Sequence, residues 1–134
     1  IPIDEYVIDA NNETFLIIQL EDPASIKEAE KISAIEGVDA IMLGQADFSV
    51  LSCIPGQFDH PLVKDALKKV ASAAANTGKH WACTAPSPDA AKELIELGAR
   101  IILHNADICI LKEGFEKIRK DFSEAGFYFQ NNQF

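Results

Sequence analysis

Two acidic residues, Glu21 and Asp47, follow two apolar runs at equivalent places in the sequence. The runs are residues 15–18 (FLII) and residues 40–43 (AIML). If both runs are parallel strands of one sheet, their carboxyl ends meet at one edge, where α/β proteins place their sites. The two carboxylates then face one pocket. Two oxygen ligands with no His or Cys beside them suit Mg²⁺ or Mn²⁺ better than zinc.

Each acid also has a plain structural interpretation when it is considered alone. Glu21 precedes Asp22-Pro23, which is a typical helix start, and Asp47 with Ser49 fits a turn or a helix cap. Considered together, the two acids favour a metal site, because each follows the strand of one of two successive strand and helix units. Their separation is that of one strand, one helix and two short loops, which is the length of a parallel βαβ crossover.

The composition indicates one modest globular domain. The chain has 134 residues, 48% of them hydrophobic, which is enough for a single core. We therefore treat residues 1–134 as one domain and predict no regular structure for the aromatic tail, residues 122–134. No run approaches the roughly 20 apolar residues of a membrane span, and no basic and apolar leader opens the chain. A cytoplasmic location is the expectation.

The charge and the cysteines narrow the class of function. A formal charge of −9 disfavours binding to nucleic acid or to an anionic membrane, because both require clustered Lys and Arg. Small-molecule chemistry is favoured instead. The three cysteines are widely spaced, so neither a disulfide framework nor a zinc ribbon is indicated. Cys83 and Cys109 lie among apolar residues and are expected to pack as small hydrophobic side chains, whereas Cys53 lies in a loop.

The periodicity predicts four strand and helix units in strict alternation, which is typical of a parallel α/β fold. The predicted strands are residues 15–21, 38–43, 80–83 and 100–103. A closed (β/α)8 barrel normally takes about 200 residues or more, so the chain has the size of half a barrel. An independent four-stranded sheet is the alternative, although its open edges would be prone to aggregation.

Proline and glycine mark the ends of the predicted helices. Asp22-Pro23, His60-Pro61 and Ser87-Pro88 each combine a capping residue with proline at the first helical position. The first of these helices is expected to carry an apolar stripe (Ile26, Ala29, Ile32, Ile35) up to Gly37. A second helix is predicted over residues 62–76, with Val63, Leu67, Val70 and Ala74 buried. A third is predicted after residue 87, with Ala91, Leu94 and Ile95 buried, and a last helix is predicted from residue 106. Residues 4–9 are predicted to form one short helical turn, and residues 48–61 a long connection.

With these elements in place, the segments FLIIQLED, GVDAIMLGQADFS, PGQFDHP and ELGARIIL resemble the HpcH/HpaI family of class II pyruvate aldolases. The resemblance extends from about residue 6 to residue 122 and corresponds to the second half of the family's barrel, its last four βα units. It implies a TIM-barrel fold and a divalent metal ion, Mg²⁺ or Mn²⁺, with Co²⁺ as a further candidate. It also implies cleavage of a 4-hydroxy-2-oxo acid to pyruvate and an aldehyde through an enolate.

Two motifs carry the resemblance residue by residue. The family's Q-x-E pattern matches Gln19 and Glu21, which implies that Glu21 is a metal ligand and that Gln19 contacts the keto acid. The family's G-x-A-D-L-S pattern matches residues 44–49, GQADFS. It implies that Asp47 is the second metal ligand, that backbone N–H groups at Ala46 and Asp47 hold the pyruvate carboxylate, and that the small Gly44 admits the substrate. Gln45 and Phe48 replace the commoner Pro and Leu, which are mild changes.

Other features depart from the family pattern. The family's general base, a His, and its enolate-stabilising Arg lie in the first half of the barrel, so the chain by itself is expected to be inactive. Residues 104–107 (HNAD) replace a small Gly-Ser-Asp segment. His104 is interpreted as the end of a strand, His60 as a helix cap, and His80 as an exposed residue at the edge away from the site. A Cys53–His60 nucleophilic pair lacks a third, orienting group.

The sequence thus predicts a metal-dependent carbon–carbon lyase, or the carboxyl-terminal half of one. The rivals are a lyase of the same superfamily acting on a citryl- or malyl-CoA-like thioester, a decarboxylase acting on oxaloacetate, and a truncated, non-catalytic remnant. The resemblance also implies a homo-oligomer, a trimer or a hexamer. The final helix, with Phe115 and Phe122, is a candidate for that contact, and packing on the barrel is the default.

Overall fold

The computed structural model describes residues 1–129, which divide into two compact units, residues 1–103 and the residues from His104 onward. The first unit contains a four-stranded sheet whose strands run in the order β1-β2-β3-β4, all parallel. The predicted parallel α/β fold with four strands is confirmed. The strands are β1 (Ile17–Leu20), β2 (Ala40–Leu43), β3 (His80–Thr84) and β4 (Ile101–Leu103).

Six helices accompany the sheet in the first unit, and a seventh lies in the second. Those of the first unit are α1 (Ile3–Glu13), α2 (Pro23–Lys27), α3 (Ala29–Ser33), α4 (Gln45–Leu51), α5 (Pro61–Thr77) and α6 (Pro88–Glu96). The second unit contains α7 (Asp107–Glu124).

The predicted helix starts are confirmed by capping hydrogen bonds. The Asp22 carboxylate accepts from the backbone N–H groups of Ala24 and Ser25 at 2.8 and 3.0 Å, and these bonds lower the pKa of Asp22, the Ser25 N–H foremost. His60 Nδ1 accepts from the Leu62 N–H at 3.2 Å, and Ser87 caps α6 in the same way. These caps satisfy N–H groups that a helix start otherwise leaves without partners.

The core lies on one face of the sheet, between the strands and helices α2 to α6. Alternation along each strand sends Leu20, Leu43 and Cys83 to this face in matching register, and all three are buried. Val63, Val70 and Ala74 of α5 are buried as predicted. The opposite face carries Gln19, which is exposed, and Met42, which is half-buried.

Several predicted bounds were wrong near the first strand. Phe15 and Leu16 lie before β1 and are exposed. The helix predicted after Asp22 is broken in two at Glu28, whose φ of −97° and ψ of 8° leave the helical region. Its N–H contacts the carbonyls of both Ala24 and Ser25, which tightens the last turn of α2. Ile35 consequently falls outside the helices and is exposed.

The structure also differs from the sequence predictions in the extent of two helices and in the burial of two apolar residues. Helix α4 covers residues 45–51, so the first four residues of the long connection predicted over residues 48–61 are helical. Helix α1 spans three turns rather than one and has no buried residue. Ile95 is 54% exposed on the outer side of α6, and Cys109 is exposed on α7, so neither packs as expected.

The second unit is a single amphipathic helix with the start of the aromatic tail. The apolar residues of α7 are all exposed, and the Phe122 and Phe127 rings pack edge to face, with centroids 5.4 Å apart. Helix α7 ends at Glu124 and so includes the first three residues of the predicted tail, whose last residues, 130–134, lie outside the described part. Among residues 1–129, no helix combines the length and the apolar character needed to cross a membrane.

Candidate active site at the carboxyl edge of the sheet

The carboxyl ends of β1 and β2 lie side by side, as the sequence predicted. Gln19 pairs with Met42 and Leu20 pairs with Leu43. The Gly44 N–H then donates to the Leu20 carbonyl at 2.9 Å, so the ladder continues one residue beyond β2. This bond places Gly44 beside Glu21, the residue that follows β1.

Gln19 and Glu21 contact each other at this edge. Residues two apart along an extended chain share a face, and here Gln19 Nε2 donates to Glu21 Oε2 at 2.7 Å. Gln19 is exposed and Glu21 is half-buried. The alternation that produces this contact is visible in the sequence, but the sequence interpretation assigned Gln19 to the substrate rather than to Glu21.

Gly44 lies tightly against the same pair of side chains. A Cβ atom at this position would lie 2.8 Å from Gln19 Nε2 and 3.1 Å from Glu21 Cβ. The backbone of Gly44 has φ of −82° and ψ of 80°, so a positive φ is not what requires glycine there. The requirement is space, and the structure brings Gln19, Glu21 and Gly44 together as one cluster.

Ala46 and Asp47 lie on the first turn of α4, and both are exposed. The first backbone bond of this helix runs from the Phe48 N–H to the Gly44 carbonyl. The N–H groups of residues 45–47 precede that bond, and Gly44, at the N-cap, has no side chain with which to cap them. First-turn N–H groups of this kind favour a negatively charged partner.

The donor set fits a hard divalent cation held partly by substrate. Mg²⁺ is commonly bound by one or two carboxylates and keeps several waters. Within residues 1–129 no cluster of three or more His, Cys, Asp or Glu side chains is arranged for a metal ion. In the same range neither Glu21 nor Asp47 is held in an ion pair with Lys or Arg. The convergence of these two carboxylates on one cation stays a prediction.

The histidines and the cysteines Cys53 and Cys83, which were the other candidates for chemistry, lie outside the cluster of Gln19, Glu21 and Gly44. His60 caps α5, as predicted, and His80 is exposed at the start of β3, the end of the strand away from the site. His104 directly follows β4. Cys53 is exposed, in a loop, with a φ of 59°. Cys83 is buried as predicted, and its burial raises the pKa of the thiol to about 11, which makes it a poor nucleophile.

Ser49 has a structural role that sequence reasoning missed. Its buried hydroxyl donates to the Ala46 carbonyl at 2.7 Å and accepts from the Gly56 N–H at 3.0 Å. The Ile54 N–H also donates to the Ser49 carbonyl, at 2.8 Å. Ser49 therefore ties the loop after α4 to the helix that carries Asp47. The sequence offers one signal for this role: Ser49 lies three residues after Ala46, and a serine hydroxyl commonly donates to the carbonyl three or four residues before it.

The sheet, its carboxyl-edge cluster and the following short helix define a partial barrel of the TIM type. The sequence profile of the HpcH/HpaI aldolase/citrate lyase family matches residues 3–110, and the chain belongs to that family. It is 31% identical over 111 residues to a hydroxypyruvate/pyruvate aldolase of Delftia acidovorans, covering 83% of this chain and 41% of that protein. It is 25% identical over 122 residues to a 5-keto-4-deoxy-D-glucarate aldolase of Escherichia fergusonii, covering 91% and 48%.

The solved structures agree with this assignment. The crystal structure of an HpcH/HpaI aldolase from Desulfitobacterium hafniense superposes with a TM-score of 0.82 at 29% identity, covering 92% of this chain and 48% of that one. The half-barrel fold predicted from the sequence is thereby confirmed. The chain spans about half the length of the relatives that it matches.

Proposed function

We propose that this chain supplies the metal-binding and keto-acid-binding half of a carbon–carbon lyase. The reaction is the cleavage of a 4-hydroxy-2-oxo acid to pyruvate and an aldehyde. The observation that carries the proposal is the cluster of Gln19, Glu21 and Gly44 at the carboxyl edge of adjacent parallel strands. It joins the two motifs on which the family resemblance rests, in a chain that belongs to an aldolase and lyase family.

In this proposal Glu21 and Asp47 hold a divalent ion, Mg²⁺ or Mn²⁺, with Co²⁺ as a further candidate. When it is bound, such an ion supplies Lewis-acid stabilisation to the enolate that forms as the C3–C4 bond breaks. The first-turn N–H groups at Ala46 and Asp47 bind the substrate carboxylate without adding a full charge. The contact of the substrate with Gly44 implied by the resemblance stays a prediction, because the space beside Gly44 holds the Gln19 carboxamide.

The proton of the 4-hydroxyl group needs an acceptor from elsewhere. In this proposal Glu21 and Asp47 bind the metal ion, and the side chains of Gln19, Gly44 and Ala46 contain no basic group, so none of the five proposed site residues is available to accept this proton. The family resemblance assigns the base, a His, and an Arg to the first half of the barrel. We therefore propose that four further strands complete the site and that residues 1–134 alone do not turn over.

The open sheet supports this proposal. Strands β1 and β4 are the two edges of the sheet, and each presents unpaired backbone groups of the kind that another strand satisfies. Ile17 of β1 and Leu103 of β4 are 37% and 40% exposed, although strands of this apolar type are normally covered on both faces. The trimeric or hexameric assembly and the cytoplasmic location implied by the sequence stay predictions.

The test is a panel assay on the protein as its gene encodes it, with residues 1–134 alone for comparison. We expect pyruvate release from 4-hydroxy-2-oxo acids, abolished by EDTA and by Glu21→Gln or Asp47→Asn, and retained by the exposed control Glu36→Gln. Cleavage of a CoA thioester, or decarboxylation of oxaloacetate, without cleavage of any hydroxy-oxo acid would replace the proposal with one of its rivals. A folded protein with none of these activities would support the non-catalytic remnant.

A further inference from the structure

We infer that Gln19 is a positioning residue for the Glu21 carboxylate and that Gly44 serves the site by leaving room for the Gln19 carboxamide. The inference rests on the proposed function only where it concerns a metal ion. The contact itself is a property of the chain. It gives Gln19 and Gly44 roles that differ from the substrate contacts predicted from the sequence.

The first step of the argument is the hydrogen bond itself. Gln19 Nε2 lies 2.7 Å from Glu21 Oε2, which is short for a bond between an N–H group and oxygen and typical of bonds to an ionised acceptor. The amide is uncharged, so it orients the carboxylate without cancelling its negative charge. A carboxylate has about four lone-pair positions, and this bond leaves the others for a cation.

The second step is the packing of Gly44 against this bond. Any Cβ at residue 44 would lie 2.8 Å from the donating nitrogen, 3.1 Å from Glu21 Cβ and 3.2 Å from Gln19 Cδ. Since the φ of −82° at Gly44 is accessible to alanine, Gly44→Ala tests the space at this position without requiring a left-handed backbone. The substitution has to displace the Gln19 amide or press on the backbone of β1.

The third step explains why the contact needs both strands. Gln19 and Glu21 lie on one face of β1, and Gly44 is held beside them by its N–H bond to the Leu20 carbonyl at 2.9 Å. The carboxamide of the exposed Gln19 side chain packs against Gly44 and donates a hydrogen bond to the Glu21 carboxylate. Its orientation is thus fixed by steric contact from β2 and by a hydrogen bond within β1, and the three residues act as one unit.

The test combines metal affinity with a readout that needs no metal. Free Mn²⁺ is measured by its electron paramagnetic resonance signal in the protein as its gene encodes it and in Gln19→Ala, Gly44→Ala and the double variant. Removing a partner that orients a ligand typically costs about 10- to 100-fold in metal affinity, and we expect that loss from Gln19→Ala. We expect Gly44→Ala to weaken binding as well, and the double variant to lose less than the product of the two single losses, since part of the effect of Gly44→Ala passes through Gln19.

The second readout is the solvent exchange of the Gln19 side-chain amide protons in ¹⁵N-labelled protein without metal. We expect one Nε2 proton to be protected, and we expect Glu21→Ala and Gly44→Ala each to remove that protection. Gly114→Ala is the matched glycine control, because beyond the backbone of its own helix and its chain neighbours no atom lies within 4 Å of a Cβ at that position. Gln57→Ala, in an exposed loop, is the glutamine control.

The outcomes separate this inference from the proposed function. Unprotected Gln19 protons, an affinity for Mn²⁺ that Gln19→Ala changes by less than about twofold, or losses that multiply in the double variant would each overturn the positioning role. A protected amide in a protein that binds no Mn²⁺ would uphold the contact and count against the proposed function alone.

Discussion

The Ser49 hydroxyl accepts the Gly56 N–H at 3.0 Å and so joins the helix of Asp47 to the loop that follows it. The same hydroxyl donates to the Ala46 carbonyl, and Ser49 is 1% exposed. Both partner residues, Ala46 and Gly56, are exposed. A hydrogen bond of this kind contributes about 0.5–1.5 kcal/mol to stability.

The first prediction concerns this link. Ser49→Ala should lower the free energy of unfolding by about 0.5–1.5 kcal/mol, as measured by urea denaturation monitored through Trp81 fluorescence. The control is Ser72→Ala on the exposed side of α5, which should change stability by less than about 0.5 kcal/mol. Equal stability of the two variants would contradict the structural role of Ser49.

The second prediction concerns thiol reactivity. Cys53 and Cys109 are exposed, whereas Cys83 is buried with a pKa raised to about 11 by desolvation. Since the thiolate is the reactive form, Cys53 and Cys109 of the native protein at pH 8 should react rapidly with Ellman's reagent, and Cys83 only on denaturation. Cys83→Ala should leave the fast phase unchanged. Rapid reaction of all three thiols would show that β3 is not buried as described.

The third prediction concerns pH and the start of α2. Hydrogen bonds from Ser25 and Ala24 lower the pKa of Asp22, so its carboxylate binds protons less readily in the folded chain than in the unfolded one. Its contribution to stability is present above the unfolded pKa, about 3.9, and is lost as the pH falls through the lower folded value.

Asp22→Asn keeps an accepting oxygen and removes the negative charge together with its titration. The melting temperature of the wild type should therefore exceed that of Asp22→Asn at pH 6, and the difference should shrink towards pH 3. The control, Asp9→Asn on the exposed α1, serves as the baseline for removing one acidic group. A difference between wild type and Asp22→Asn that does not change with pH would contradict the capping role of the charge.

The elements with local signals could be predicted from the sequence. Proline and a capping residue mark the starts of α2, α5 and α6, and Gly78 ends α5 with a left-handed φ of 68°. Apolar runs located all four strands, because strands of a parallel sheet are buried on both faces. The short α4 gave no such signal, because it has only seven residues and its Val50 and Leu51 are exposed.

The site could be predicted by residue type but not by contact. The motifs identified Gln19, Glu21, Gly44, Ala46 and Asp47, and the parallel register brings the first three together. The contact of Gly44 with the Gln19 amide depends on how β1 and β2 are aligned, which a single sequence does not specify. The break at Glu28 and the exposure of Ile95 were also missed, since a periodic pattern does not show which apolar residues other elements will cover.

The central claim is that Glu21 and Asp47 hold one divalent cation together with a 2-oxo acid. The most direct measurement is titration of the protein, as its gene encodes it, with Mn²⁺ in the presence and absence of pyruvate, followed by electron paramagnetic resonance. The claim predicts that pyruvate tightens Mn²⁺ binding and that Glu21→Gln and Asp47→Asn each abolish this coupling, while Glu36→Gln retains it. Mn²⁺ binding that is insensitive to pyruvate, or that survives both substitutions, would contradict it.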